Sequence, residues 1–192
     1  RQVLLALVVA AIVGTCGMLI GYACVRRRGS RLSRMVESLA FFPYLMPAMA
    51  FATIYLAVAT SANFKFLYGT FGVLVLVASI KFLPFASRSG VNSMMQIAPE
   101  IEEAAVIFGV PWRTRMTRIL FPIQKSSIIS GYLLPVISVM REVALFTLLV
   151  PYARYLLTTM LFSFNETGYA QYGSAVTLLI ILIIILINFV TN

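Results

Sequence analysis

The sequence predicts an all-α, polytopic transmembrane helical bundle, and three observations predict it. Hydrophobic residues make up 61% of the 192 residues and charged residues 11%, against about 45–50% and about 25% in soluble domains. A mean hydropathy of +0.97 says the same. Five apolar stretches, near residues 2–25, 41–60, 70–89, 125–149 and 170–191, each approach the about 20 residues that carry a helix across about 30 Å of hydrocarbon. Between the third and fourth, residues 90–124 form a polar island with both charge signs. Connections are usually short, so a loop of this length is expected to have a function, and a soluble partner is expected to dock on it.

Each element follows in order. The first span carries Gly14, Gly17 and Gly21, a small-residue face for close helix packing. Its Cys16 and Cys24 read as small apolar residues, Cys24 lying near a reducing side. Pro43 and Pro47 open the second span, Lys81 sits midway along the third before a kink expected at Pro84, and Pro135 interrupts the fourth ahead of Arg141 and Glu142. Residues 152–164 are apolar but too short to cross, so they read as an interfacial helix. Tyr152, Tyr155, Tyr169 and Tyr172 flank it as an aromatic belt. The Ile/Leu run 178–187 is hydrophobic all round and faces lipid or packed helices.

Charge placement orients the spans. Arg26, Arg27, Arg28, Arg31 and Arg34 follow the first span, and Arg88, Arg113, Arg115, Arg118 and Lys125 lie in or beside the long loop. The positive-inside rule makes both groups cytoplasmic. Segment 61–69 carries only Lys65, and 150–169 only Arg154 and Glu166, as expected outside. Five spans then put the amino end outside and the carboxyl end in the cytoplasm. The net charge of +9 is that of juxtamembrane arginines against anionic membrane lipid, and no nucleic-acid partner is needed to explain it.

The polar loop reads as helix, glycine turn, helix. Pro99 suits the first helical turn, and Glu100, Glu102 and Glu103 sit near the positive end of the helix dipole. Ile101, Ala104, Ala105 and Phe108 recur at spacings of three and four and are expected to form one apolar stripe, with Glu102 and Glu103 beside it. Gly109 can take the left-handed conformation that ends a helix, and Pro111 cannot continue one. Trp112 to Arg118 then reopens a basic helical segment, and Pro122 marks entry to the next span.

This loop resembles the cytoplasmic coupling loop of the membrane subunits of binding-protein-dependent ABC importers. The family pattern is Glu-Ala-Ala, three residues, Gly, nine residues, Ile, one residue, Leu-Pro. Glu103, Ala104, Ala105, Gly109, Ile119 and Pro122 match in identity and spacing, and Phe121 replaces Leu. The resemblance spans roughly residues 40–190. It implies a MetI-like type I ABC importer permease fold, with residues 1–192 as a single transmembrane domain and 90–124 as its coupling loop.

The resemblance further implies that Glu102, Glu103, Ala104, Ala105, Gly109, Ile119 and Pro122 form the docking segment for a cytoplasmic ABC ATPase dimer. Glu103 would make a polar contact, the alanines would permit close approach, and Gly109 would make the turn. It implies a second permease half, fused or separate, and a periplasmic or lipid-anchored substrate-binding protein in the inner membrane of a bacterium. The chain starts at Arg1 inside an apolar run and stops just after its last span. It is therefore expected to be part of a longer permease, the first span of a six-span half lying upstream.

Several chemistries drop out. With no His, His-ligated metal sites and His-dependent triads are excluded. No Gly-x4-Gly-Lys-Ser/Thr run occurs, so P-loop hydrolysis of ATP, with its Mg²⁺, belongs to the partner ATPase. The chain is expected to be no enzyme, with no catalytic residue, no metal site and no cofactor of its own.

Ionisable groups within spans are costly and usually functional. At ~1.5 Å rise per residue, Lys81 lies roughly 15 Å and Glu142 roughly 10 Å below the outer surface, close enough for an extended Lys to reach. Two readings stand. Either Lys81, Arg141 and Glu142 line or gate a translocation path, Glu142 pairing Lys81, or Arg141 snorkels outward and Lys81–Glu142 is an interhelical tie.

Substrate is the least determined feature. The words Lys81-Phe82-Leu83-Pro84-Phe85-Ala86-Ser87-Arg88, Gln96-Ile97-Ala98-Pro99-Glu100 and Arg141-Glu142 resemble the ferric-iron-type branch, which makes ferric iron the expected cargo. Polyamine, thiamine, phosphonate or sugar is the alternative within the same architecture. An ion-coupled secondary transporter or channel is the alternative of a different class; it would have intramembrane charges without needing the loop.

Overall fold

The structure, a computed structural model, describes residues 1–26, 31–61, 64–66, 68–150 and 156–191. Every regular element among them is helical. In order these are α1 (Gln2–Arg26), α2 (Arg31–Leu45), α3 (Ala48–Thr60), α4 (Phe71–Met95), α5 (Pro99–Ile107), α6 (Trp112–Thr114), a π-helical run over Arg115–Leu120, α7 (Phe121–Ile123), α8 (Lys125–Arg141), α9 (Ala144–Leu149), α10 (Leu157–Glu166) and α11 (Ala170–Thr191).

α1, α4 and α8 form the centre. Gly17 backs onto Ala86 and Gly21 onto Gly90, so α1 and α4 run side by side in the same direction. α8 runs against both: Gln2 Nε2 donates to the Val139 carbonyl at 3.1 Å, and Thr15 Oγ1 lies 3.0 Å from Tyr132 Oη. Two parallel helices need an odd number of crossings between them, which α2 and α3 together supply. The buried core joins Leu5, Val9 and Val13 of α1, Val77 and Ala78 of α4, and Val139 and Met140 of α8 to Leu145, Phe146 and Leu149 of α9. On the other faces large apolar side chains remain exposed, among them Leu4, Leu7 and Leu19 of α1 and most of the Leu/Ile run of α11. In water such faces would be costly; in hydrocarbon they are the expected exterior.

α1, α4 and α11 are each long and apolar enough to cross a membrane, and two bent pairs bring the number of possible spans to five. The second predicted span is one of these, and it is not a single rod. α2 and α3 meet at 100°, because Pro47 has no N–H to continue the ladder and disfavours helical geometry at Met46 before it. Pro43 and Pro135 stay inside α2 and α8, and α4 continues through Pro84 as one helix. The fourth predicted span stops at Arg141, and α9 begins three residues later. The other bent pair lies earlier, where Trp112–Ile123 meets α8 at 84°. Ser93 Oγ donates to Gln124 Oε1 at that corner, and Gln124 Nε2 lies 2.9 Å from Met94 Sδ.

Within the segment read as an interfacial helix, the described residues form the short helix α10, which runs on to Glu166. Tyr169 and Tyr172 beside it are exposed and pack edge to face. Tyr152, Tyr155 and Arg154, like Arg27 and Arg28, lie outside the described residues.

Candidate functional site

The polar segment begins later than the predicted 90–124, since α4 runs to Met95 and consumes its first six residues. From Pro99 the predicted order holds: α5, then Gly109 at φ +68°, then a second helical stretch from Trp112 to Ile123. Gly109 takes the left-handed conformation that side-chain-bearing residues avoid. The second stretch contains six π-helical residues, Arg115–Leu120, which the sequence pattern did not indicate. They turn Met116 and Leu120 under the loop, where both are buried with Met94 and Ile97 against Tyr22 and Val25.

α5 divides its expected apolar stripe between two faces. Ile101 and Phe108 of the predicted apolar stripe are exposed, Phe108 by 84%, as is Ala104; only Ala105 is buried. Glu102, expected beside the stripe as part of the docking segment, is buried. Its carboxylate accepts from Tyr22 Oη at 2.6 Å and from Arg26 Nε at 2.7 Å, and Arg115 Nε stands 3.8 Å away. The ion pair turns α5, because a desolvated carboxylate requires partners whereas a helix this short gains little by burying alanine and phenylalanine. Ile101, Ala104 and Phe108 therefore face away from the chain's own bundle, together with exposed Glu103, Val106 and Ile107, while Ala105 turns inward beside Glu102. Ile119 is half-buried and Pro122 exposed. A cavity of about 610 Å³ lies between α5 and the ends of α1 and α4, walled by Tyr22, Arg26, Met94, Ile97, Glu102 and Ile107.

The intramembrane charges do not pair as the sequence suggested. Lys81 Nζ donates to the carbonyls of Pro43, at 3.1 Å, and Met46, and stands 5.1 Å from the centre of the Phe51 ring. These carbonyls lose their helical donors at the α2–α3 break, so the ammonium replaces N–H groups at the negative end of α2. Glu142 Oε1 accepts from the Leu145 amide at 3.0 Å, which caps the first turn of α9. Lys81 and Glu142 form no salt bridge; each holds one helix break. Arg141 is exposed.

A second cavity, of about 440 Å³, opens between α2, α4 and α8. Arg88, Asn92 and Gln96 line it from α4, and Ser126, Ser127 and Ser130 from α8. Arg88 approaches Glu37 at 3.7 Å with both side chains largely exposed, a geometry that contributes little. The spacing of Arg88, Asn92 and Gln96 was available in the sequence as a polar stripe; the opposing serines became its partner only through the antiparallel packing of α4 and α8.

Membrane-length helices with apolar outer faces, a cleft of mixed polar and apolar lining among them, and a helix–glycine–helix with an exposed face beyond their ends fit a subunit embedded in a membrane. The chain belongs to the family of binding-protein-dependent transport system inner membrane components, whose profile matches residues 14–192. It is 32% identical over 121 residues to the phosphate transport system permease protein PstA of Mycobacterium leprae, covering 62% of this chain and 38% of that protein. Against PstA 1 of Mycobacterium tuberculosis (strain CDC 1551 / Oshkosh) it is 27% identical over 195 aligned positions, covering 91% of this chain and 62% of the other. The chain thus spans 38% to 62% of the length of these curated relatives. The MetNI methionine ABC transporter, solved in inward-facing conformations, superposes with a TM-score of 0.81 at 16% identity, over 99% of this chain and 89% of that one. That likeness is one of fold.

Proposed function

We propose that this permease imports an oxyanion, phosphate, driven by ATP that a separate ABC ATPase dimer hydrolyses. The observation that carries the coupling is the outward face of α5: Ile101, Ile107 and Phe108 are exposed beside Glu103, an apolar patch with a charged rim such as marks a protein-binding surface. The exposed Glu103, Ala104, Gly109 and Pro122 form the surface that seats in the ATPase, with buried Ala105 and half-buried Ile119 supporting it. The rest of the assembly is a second permease half and an extracytoplasmic binding protein. α5 lies on the cytoplasmic side, the amino end outside and the carboxyl end inside.

Phosphate is preferred to ferric iron on two grounds. The relatives at 27–32% identity are phosphate permeases by name. The cleft between α2, α4 and α8, whose walls also carry Phe41, Phe85 and Leu134, holds the Arg88 guanidinium and no carboxylate among its lining residues, which favours an anion over a hard cation. The ferric reading rests on the short words around Lys81, Gln96 and Arg141.

The test is uptake by the reconstituted complex of permease, ATPase and binding protein. ATP-dependent accumulation of labelled phosphate is expected. Accumulation of ferric iron without phosphate would overturn the substrate, and uptake that follows an ion gradient without ATP would overturn the class.

A further inference from the structure

We propose that Glu102 is a positioning residue that delivers the movement of α5 directly to α1, making the α1–α4 pair the first part of the bundle to respond to the ATPase. The proposal rests on the coupling role of α5 given above and adds the route by which force enters the membrane.

α5 has nine residues and is joined to its neighbours by non-helical links, Gln96–Ala98 on one side and Phe108–Pro111, with Gly109 left-handed, on the other. Such joints bend, so they transmit thrust poorly. Among the described residues, the side-chain hydrogen bonds and ion pairs of α5 all converge on Glu102. Two of them, at 2.6 and 2.7 Å, reach Tyr22 and Arg26 in the last turns of α1. The carboxylate is held from both sides, by Arg26 and by Arg115, whose side chains are each only 16% exposed. Arg26 Nη2 and Arg115 Nε are buried with no hydrogen-bond partner, so Glu102 is the carboxylate that balances both guanidiniums. Withdrawing Glu102 would leave two desolvated guanidiniums together, which is strongly unfavourable, so the link resists being pulled open.

Beyond the link the route is stiff. α1 rests on α4 backbone to backbone at Gly17–Ala86 and Gly21–Gly90, with no side chain between them to absorb a shift. α1 and α4 therefore move together.

The test uses the complete transporter with its ATPase and binding protein. Glu102→Gln keeps an acceptor for Tyr22 but removes the charge; Arg26→Glu and Glu102→Arg break the pair, and the double variant restores it reversed. Substrate moved per ATP hydrolysed is expected to fall by about tenfold in the single variants, within the range of site-to-site coupling, while ATPase binding persists. The reversed pair leaves a guanidinium beside Arg115 and should recover only part of the loss. Single variants that couple normally would overturn the proposal.

Paired spin labels on α1 and α5 supply a readout independent of cargo. Their separation is expected to stay constant through the ATP cycle in the parent and to vary in Glu102→Gln. Labels that separate in the parent with the ATPase bound overturn the link alone. Failure of the ATPase to bind α5 at all overturns instead the coupling role on which the link rests.

Discussion

Gly21 and Gly90 meet backbone to backbone: a Cβ on Gly21 would stand 2.2 Å from the Gly90 carbonyl carbon. The neighbouring atoms are main chain, so no rotamer change relieves the clash. Gly21→Ala is expected to push α1 off α4 and to destabilise the bundle by about 1–3 kcal/mol, the usual cost of overpacking. Gly72→Ala, at a position with nothing within 4 Å, serves as control and should leave the melting temperature in detergent unchanged or slightly raised, alanine being the better helix former. Equal melting temperatures for the two variants would refute this close approach.

Lys81 and Glu142 each repair a helix break, and their substitutions should separate accordingly. Lys81→Met strands the Pro43 and Met46 carbonyls, at a cost of about 1–3 kcal/mol for buried acceptors left unsatisfied. Glu142→Gln keeps an oxygen for the Leu145 amide and should be nearly neutral in stability. Glu142→Ala loses the cap and about 0.5–2 kcal/mol. Thermal denaturation of the three variants decides the matter: if Glu142→Gln is as damaging as Lys81→Met, the pair acts through charge and not through capping.

The exposed side of α5 should matter for assembly and not for folding. Phe108, 84% exposed, touches little within the chain, so Phe108→Ala is expected to leave the melting temperature unchanged while weakening capture of the ATPase at least about tenfold, a loss of about 1.4 kcal/mol. Gly109→Ala forces a side chain into the left-handed region, at a local cost of about 1–2 kcal/mol, and should reduce ATP-driven uptake with the membrane helices intact by circular dichroism. Undiminished ATPase capture by the Phe108 variant would remove α5 from the interface.

Much of this architecture is legible one residue at a time. Run length and composition locate α1, α4 and α11 because hydrocarbon demands about 20 apolar residues whatever their neighbours. Gly17 and Gly21 announce a close helix contact, and Pro99, Gly109 and Pro111 delimit α5 through backbone chemistry alone. The breaks were less legible. Pro47 was visible, but a proline can kink a helix mildly or end it, and the 100° turn between α2 and α3 depends on Lys81 arriving from another helix to satisfy the freed carbonyls.

The sequence by itself determined that this protein is a helical membrane subunit with a helix–glycine–helix loop, since those features follow from local hydrophobicity and from the conformational limits of proline and glycine. Which way α5 faces, and what Glu102, Lys81 and Glu142 bind, only the tertiary structure decided. Periodicity ranks the faces of a helix by polarity, but a buried carboxylate with Tyr22 and Arg26 within hydrogen-bond reach outweighs an apolar stripe. Those partners lie 76 and 80 residues away along the chain, where no local pattern can point to them.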